Sequence, residues 1–442
     1  MLLEQNRREH VPSKACPRLS LPDDSVNLAV VAPGYGISDF VVDRSGQLGI
    51  YISIPFCRSK CTYCNFASGV FPAGEHARYV RHLLDEMRGA RGWSENIGVE
   101  LPREVDTIYL GGGTPSLLEP HLITELFAAI RGEFVVQSDA EITVECAPGK
   151  VADATLAALA DAGVNRVSLG VQSFIDREAQ QSGRLHNRAM VFDDLRRLRA
   201  VGITNLNIDL IAGLAGQTFA SWQESVETLI ETGVPHASIY MLEVDEESRL
   251  GREMLKGGAR YHADLVPSDE SIARMYEGAI DWLATAGTSQ YEISNFARAG
   301  FESRHNLRYW QRRPYLGLGL DASSMLREAQ SGYVLRSTTT EDLNACIEGS
   351  QPPEIAWLSP ERRHEEAWFL GLRLNRGVSV RELRAEFGEG PVTRALQIVG
   401  KLVDRGLLSK EGEWVRLTPE GRLLSNDVFQ EFLESVPQAR AG

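Results

Sequence analysis

The chain is short of cysteine, histidine and positive charge, and it lacks any long apolar run. Of its 442 residues, six are cysteine and nine histidine. Lysine and arginine number 46 against 60 aspartate and glutamate, a formal net charge of -14. That deficit argues against a general nucleic-acid or anionic-membrane surface. No stretch reaches the roughly 18 consecutive apolar residues of a spanning helix, so no integral membrane segment is expected. Met1–His10 offers only Leu2-Leu3 before charged residues. No secretory signal is expected there, and the chain is expected to be cytoplasmic. In a reducing compartment, clustered cysteines read as metal ligands or catalytic groups rather than disulfides. Cys16, Cys146 and Cys346 stand alone and read as plain thiols.

The other three cysteines share one loop. Cys57, Cys61 and Cys64 lie in Ile54-Pro-Phe-Cys-Arg-Ser-Lys-Cys-Thr-Tyr-Cys-Asn-Phe66, spaced C-x3-C-x2-C. Phe66 stands where a fourth cysteine could follow, and no histidine lies within ten residues of the triplet. Three thiolates on one short loop suit a [4Fe-4S] cluster whose fourth iron has no protein ligand. An open iron can take a ligand from outside, so the loop is a candidate reaction or docking centre. A closed zinc site would want four ligands. On spacing alone, zinc and coincidence remain alternatives.

With 43% hydrophobic and 24% charged residues, the composition is that of a soluble protein with a full core. The length predicts two or three domains. Residues 1–46 show weak periodicity and read as an N-terminal extension. From Gly49 onward, β-rich runs alternate with helical patterns. The runs are Ile50–Phe56, Thr107–Leu110, Glu141–Glu145, Arg166–Val171, Asn205–Ile211 and Ala237–Leu242. The helical patterns include Ala77–Arg88, Leu122–Ile130, Ala152–Ala162, Met190–Ala200 and Phe219–Glu231. Strands alternating with helices predict parallel βαβ units. The fold class is therefore α/β, a partial (β/α)6 TIM-like barrel over residues 47–300, with an open doubly wound sheet as the alternative. Ser268–Ala286 reads as a helix capped by Ser268. Residues 301–358 hold His305–Trp310, a glycine turn at Gly317–Gly319, and a polar linker over 338–358. Residues 359–442 change character. Helices at Glu361–Leu372, Val380–Phe387 and Val392–Arg405 precede a hairpin at Leu407–Leu417, which predicts a C-terminal winged-helix-like domain. Its presumed third helix offers only Arg394, Lys401 and Arg405, so DNA binding is not expected.

Polar and glycine residues cluster where the predicted strands end. In a barrel those ends form one rim, where active sites are built. Gly111-Gly112-Gly113-Thr114 follows the second strand and lets the backbone approach a ligand. Glu145 ends the third strand and suits an ammonium or a ribose hydroxyl. Gln172 ends the fourth and suits a ribose. Arg184 can pair a ligand carboxylate bidentately. Asp209 lies among apolar residues of the fifth strand, where an unpartnered acid is costly to bury.

The cysteine spacing, with Tyr63 before the third cysteine, resembles the radical S-adenosylmethionine (SAM) superfamily. The resemblance implies that SAM chelates the open iron and can be cleaved to a 5′-deoxyadenosyl radical, with an electron donor to the cluster. From about Leu48 to Phe429 the chain resembles the HemN-like coproporphyrinogen dehydrogenase group, and most closely the HemW-type heme chaperones. Tyr51–Cys57, Gly111–Pro115, Gly163–Phe174, Gly183–His186, Leu206–Thr218, Tyr291–Phe296 and His305–Trp310 carry the match. Carried over by position, Tyr51, Gly112, Gly113, Thr114, Glu145, Gln172, Arg184 and Asp209 are expected to contact SAM. Phe66, where the dehydrogenases carry a further cysteine, matches the HemW type. So does His305-Asn-Leu-Arg-Tyr-Trp310, an HNxxYW motif linked there to heme. The resemblance implies heme binding at His305, Tyr309 and Trp310, since an imidazole can ligate heme iron and the two rings can pack on a porphyrin face, with the iron ligand itself left open. The implied function is to bind heme and transfer it to an acceptor protein. Oxygen-independent dehydrogenation of coproporphyrinogen III is the alternative. Ser53, Ala147, Asp321 and Ser323 depart from the family pattern.

Replacing any one of Cys57, Cys61 or Cys64 by alanine is expected to abolish the visible iron–sulfur absorbance after anaerobic reconstitution. Full four-iron spectra in all three variants would contradict the ligand assignment.

Overall fold

The computed structural model describes residues 46–149, 151–328 and 333–433. The expected N-terminal extension, with Cys16, lies outside the described residues except for Gly46. Six parallel strands follow one another in chain order: β1 (Leu48–Ile54), β2 (Glu104–Gly112), β3 (Val135–Cys146), β4 (Arg166–Gln172), β5 (Asn205–Ala212) and β6 (His236–Met241). Sequence neighbours are sheet neighbours throughout, and the order never reverses. A doubly wound sheet requires such a reversal. The order is that of the expected partial barrel.

The sheet does not close on itself. Beyond β6 it continues into an antiparallel hairpin, Ser289–Glu292 and Asn295–Ala297. On the other side, Tyr315–Leu318 runs parallel to β1. An antiparallel ladder of Ser323–Glu328, Val334–Thr338 and Glu354–Leu358 follows. The polar stretch 338–358, expected as a linker, contains a helix at Leu343–Glu348 and that last edge strand. The expected glycine turn begins at Gly319 (φ 90°), because Gly317 already belongs to a strand.

Alternation along the parallel strands decides what the barrel encloses. Ile50, Ile52, Ile108, Leu110, Ile142, Val144, Val167, Leu169, Leu206 and Ile208 are buried in the hydrophobic core. Residues of the opposite parity include Tyr51, Tyr109, Thr143, Glu145, Ser168, Asn207, Asp209 and Ser238, and the last seven line one internal cavity. TIM-barrel interiors are ordinarily filled by branched apolar layers. This lumen is polar, and its groups must find partners. The Asn207 amide donates to Ser168 Oγ at 2.7 Å, to Asp209 Oδ1 at 2.7 Å and to Ser238 Oγ at 3.0 Å.

A short helix, Arg304–Trp310, closes the lumen at the N-terminal end of the strands. The Ser303 side chain caps it by accepting from Asn306 N–H. The Glu141 carboxylate accepts from the backbone N–H of both Arg304 and His305 at 3.0 Å, an anion at a helix N-terminus. Further along, Arg308 forms an ion pair with Asp106, and both side chains are 1% exposed. Arg308 also donates to the Gln47 and Pro314 carbonyls at 2.8 and 2.9 Å. Gly49 makes room for it, since a Cβ there would lie 2.5 Å from the arginine Cδ.

The C-terminal region has its own core. Helices Pro360–Leu372, Val380–Phe387 and Glu389–Asp404 pack with a three-stranded sheet of Val378–Ser379, Leu408–Glu411 and Trp414–Leu417. Trp368 stacks on Phe432 at 5.2 Å between ring centroids. This is the expected winged-helix-like arrangement. It meets the barrel near the floor helix. Ile293 N–H donates to the Arg373 carbonyl at 3.1 Å, and the Arg373 guanidinium lies 4.2 Å from the centroid of the Trp310 ring.

Arg308→Ala removes the buried counter-ion of Asp106 and leaves it with the half-exposed Arg304 at 3.6 Å. It is expected to destabilise the fold by about 3–5 kcal/mol. Denaturant unfolding measures this, and Asp106→Asn in the same background should recover part of the loss.

Candidate cluster and cofactor site

The cysteine loop follows β1 and is tied down on several sides. Cys57 N–H donates to the Gly69 carbonyl at 2.8 Å. Thr62 N–H donates to Ser182 O at 3.1 Å, and Leu250 N–H to Thr62 O at 2.9 Å. The Lys60 ammonium bridges the Phe66 and Ser68 carbonyls at 2.6 and 2.8 Å. Asn65 donates to Asp245 Oδ2 at 2.9 Å. All three cysteines are free thiols, with Cys61 buried and Cys57 and Cys64 half-buried. Burial pushes the Cys57 thiol up, and its neighbours Cys64 and Cys61 push in the same direction. The Cys57 thiol, so placed, needs a metal partner to be held as a thiolate. Among the described residues, no three histidine, cysteine, aspartate or glutamate side chains form a group that could hold a metal ion. A cubane spreads its thiolates over separate irons, whereas zinc would draw them to one point.

Beside the loop, backbone approaches backbone. Gly113 N–H donates to Ile54 O at 2.9 Å and Thr114 N–H to Phe56 O at 2.7 Å. A Cβ on Gly113 would lie 2.7 Å from Phe56 O and 2.8 Å from Ile54 O, so no side chain fits. Gly112 adopts φ 97°, which favours glycine. Thr114 Oγ1 lies 4.0 Å from Cys57 Sγ.

The remaining rim residues converge from other strand ends. Tyr109 O–H donates to Glu145 Oε1 at 2.7 Å. Burial lifts the Glu145 carboxyl to about 7. Asp209 accepts from Ser168 Oγ at 3.0 Å, and burial raises its carboxyl too. Gln172 sits at a break in the β4–β5 register with φ 70°, an uncommon conformation for a non-glycine residue. Its buried Oε1 has no hydrogen-bond partner. Arg184 reaches over β4, donating to the Gly170 carbonyl and, at 3.5 Å, to Cys61 Sγ. Its buried Nε has no acceptor. Gly170 permits this reach, because a Cβ there would lie 2.2 Å from Arg184 Nη2. Tyr51 stacks on Tyr109 with ring centroids 6.1 Å apart.

The structure thus brings Tyr51, Gly112, Gly113, Thr114, Glu145, Gln172, Arg184 and Asp209 to the end of the barrel that carries the cysteine loop. Two carboxylates, a guanidinium, an unpartnered amide oxygen and a glycine cradle fit a small zwitterionic ligand with hydroxyls. Phe66, just past the loop, is 51% exposed. The linear motifs did not single out Tyr109, Ser168, Asn207, Ser238 or Tyr240. Their signal is the period-2 recurrence of polar residues inside β-rich runs, such as Ser168–Gly170–Gln172 and Asn207–Asp209.

His305, Tyr309 and Trp310 lie at the opposite end, in the floor helix. His305 is 1% exposed. Its Nδ1 pairs with Thr107 Oγ1 and its Nε2 with Tyr309 O–H, both at 2.9 Å. Burial drives its imidazole down to about 3. A heme ligand needs a ring nitrogen free to approach iron. In this structure both ring nitrogens of His305 are engaged, by Thr107 and by Tyr309. Trp310 faces Arg373, and Tyr309 packs edge-on to Tyr315 at 4.7 Å.

Family models match the chain as the radical SAM superfamily over residues 51–229 and as the HemN C-terminal domain over residues 358–424. Together they define a radical SAM barrel joined to a HemN-type terminal domain. The coproporphyrinogen III oxidase (HemN) structure from Escherichia coli shares this fold, with a TM-score of 0.75, 21% identity, and coverage of 89% of this chain and 92% of that one. The heme chaperone HemW of Lactococcus lactis is 34% identical over 87% of this chain and 96% of its own length. The HemW proteins of Bacillus subtilis and Escherichia coli are 34% and 30% identical, each over 87% of this chain and 98% of theirs. The chain belongs to the HemW family.

Gly113→Ala forces a methyl group against two carbonyls that belong to the root of the cysteine loop. It is expected to lower the thermal midpoint and to cut iron incorporation on reconstitution. Gly132→Ala, where a Cβ meets nothing within 4 Å, serves as the comparison and should behave like wild type.

Proposed function

We propose that this chain is a heme chaperone, binding heme and passing it to an acceptor protein. In this reading it carries a [4Fe-4S] cluster on Cys57, Cys61 and Cys64, with SAM beside it. The observation that carries the chaperone reading is the match to HemW chaperones across nearly their whole length. Phe66 supports it, standing two residues after Cys64 where the resembling dehydrogenases carry cysteine. Among the described residues, no helix is long and apolar enough to cross a membrane.

The cofactor reading rests on the chemistry of the rim. Arg184, with its unsatisfied Nε, would hold the SAM carboxylate. Glu145 would accept from the SAM amino group beside the Gly112–Gly113 backbone. Gln172, with its unpartnered Oε1, and Asp209 would take the ribose hydroxyls. Tyr51 would close one side of the pocket. When bound and reduced, the cluster and SAM together supply one-electron chemistry at the sulfonium. The protein's share is to orient the ligand, to neutralise its charges, and to keep the thiolates in place through the pinned loop.

An anaerobic assay tests this function. The reconstituted chain is offered heme and coproporphyrinogen III, with SAM and a reductant. Stoichiometric heme uptake followed by heme loss to an apo-acceptor, without protoporphyrinogen IX, is expected. Porphyrinogen turnover without heme uptake would replace the chaperone reading with the dehydrogenase.

A further inference from the structure

One hydroxyl in the lumen joins the cofactor end of the barrel to its floor. It belongs to Tyr109, which no cofactor motif includes. Its O–H donates to Glu145 Oε1 at 2.7 Å. Its ring stacks with two others. Tyr51 lies with centroids 6.1 Å apart at an interplanar angle of 28°. His305 lies at 5.2 Å, also at 28°. The His305 ring is in turn fixed by Thr107 and Tyr309, each at 2.9 Å. Swinging the tyrosine away from Glu145 would give up its stacking on Tyr51 and on His305 of the floor helix.

We propose that Tyr109 is a positioning residue for SAM: its hydroxyl aims and tunes the Glu145 carboxylate, and the floor helix holds Tyr109 in register through His305. This rests on the SAM reading of the rim and adds a residue and a regulating contact to it.

The electrostatics agree with the geometry. Burial lifts Glu145 to about 7, the Tyr109 hydrogen bond and the Gly112 N–H oppose that lift, and Asp209 adds to it. The titratable and charged groups facing Glu145 are Tyr51 from β1, Tyr109 from β2, Asp209 from β5, Tyr240 from β6, Tyr309 from the floor helix, and Arg184. The amino group of an iron-chelating SAM donates its hydrogen bond best to the ionised carboxylate. SAM uptake therefore rises with pH through the Glu145 titration. Removing the Tyr109 hydroxyl removes a bond that favours the ionised form, so the midpoint moves to higher pH.

The test is equilibrium dialysis of SAM against the cluster-reconstituted full chain across the neutral pH range. Wild type is expected to show one step in affinity. Tyr109→Phe, which keeps the ring and its stacking, should move that step upward and lower affinity roughly tenfold at neutral pH. Glu145→Gln should flatten the step, and adding Tyr109→Phe to it should change nothing further. The same midpoint in wild type and Tyr109→Phe overturns the proposal. So does a Tyr109→Phe effect that persists undiminished in the Glu145→Gln background. Wild type that takes up no SAM at any pH overturns the cofactor reading itself, and this proposal with it.

Discussion

The polar lumen of the barrel is the constraint on which the other features depend. Strands β1–β6 turn their apolar parity outward and their polar parity inward. An interior of hydroxyls, amides and carboxyls cannot be left without partners. Each end needs its own solution. At the N-terminal end, a seven-residue helix enters and is held by Glu141, Thr107 and Asp106. At the C-terminal end, glycines and the cysteine loop draw close, yet Gln172 Oε1 and Arg184 Nε stay unsatisfied. The floor is closed by the protein's own groups. Thr143 Oγ1, Arg166 Nε and Trp310 Nε1 lack partners as well, so it is the glycine cradle beside the cysteine loop that marks the rim as the working end.

What the sequence made legible follows from locality. The cysteine loop, the glycine run and the Ser268 cap are local patterns, and the structure builds a strand, turn or helix directly upon each. The strand ends could be read because a βα unit places them on one side. The fate of His305-Asn-Leu-Arg-Tyr-Trp310 could not be read, because it is set by partners far away in the chain. Glu141 and Thr107 lie more than 160 residues upstream of the groups they hold. A histidine flanked by aromatics looks the same in sequence whether it faces a porphyrin or a packed lumen. Residues 338–358 escaped for a related reason. The strand Glu354–Leu358 is an exposed edge, so its polarity mimics a linker while its backbone pairs with Val334–Thr338.

The floor helix also links two bodies of structure. Trp310 ends it against the Arg373 guanidinium of the C-terminal domain, and Arg312 just beyond pairs with Glu386 at 2.8 Å. Arg308 anchors the same helix to β2 through Asp106. The terminal domain therefore rests on the element that seals the lumen and on the hairpin of Ser289–Glu292 and Asn295–Ala297, where Asn375 pairs with Tyr291 and Gln290. These contacts let the terminal domain bear on the barrel floor through Trp310 and Arg312.

Tyr109 turns that placement into a physical argument about the rim. A carboxyl lifted toward neutrality is responsive, because a single hydrogen bond gained or lost changes its charge near working pH. Glu145 is such a group, and its side-chain hydrogen-bond donor is a ring stacked on His305. Asp209 differs, since Ser168, Asn207 and Ser238 surround it within the lumen. Of the two acids at the rim, only Glu145 therefore depends on a side chain that touches the floor. A displacement at the terminal domain could reach the ligand's charged end along Trp310, Tyr309, His305 and Tyr109 without any change in the cysteine loop. Two discrete arrangements of the floor helix would be required for such coupling. The short helix, held by Glu141 and by Arg304 and Arg308 on Asp106, is the element through which such coupling would pass.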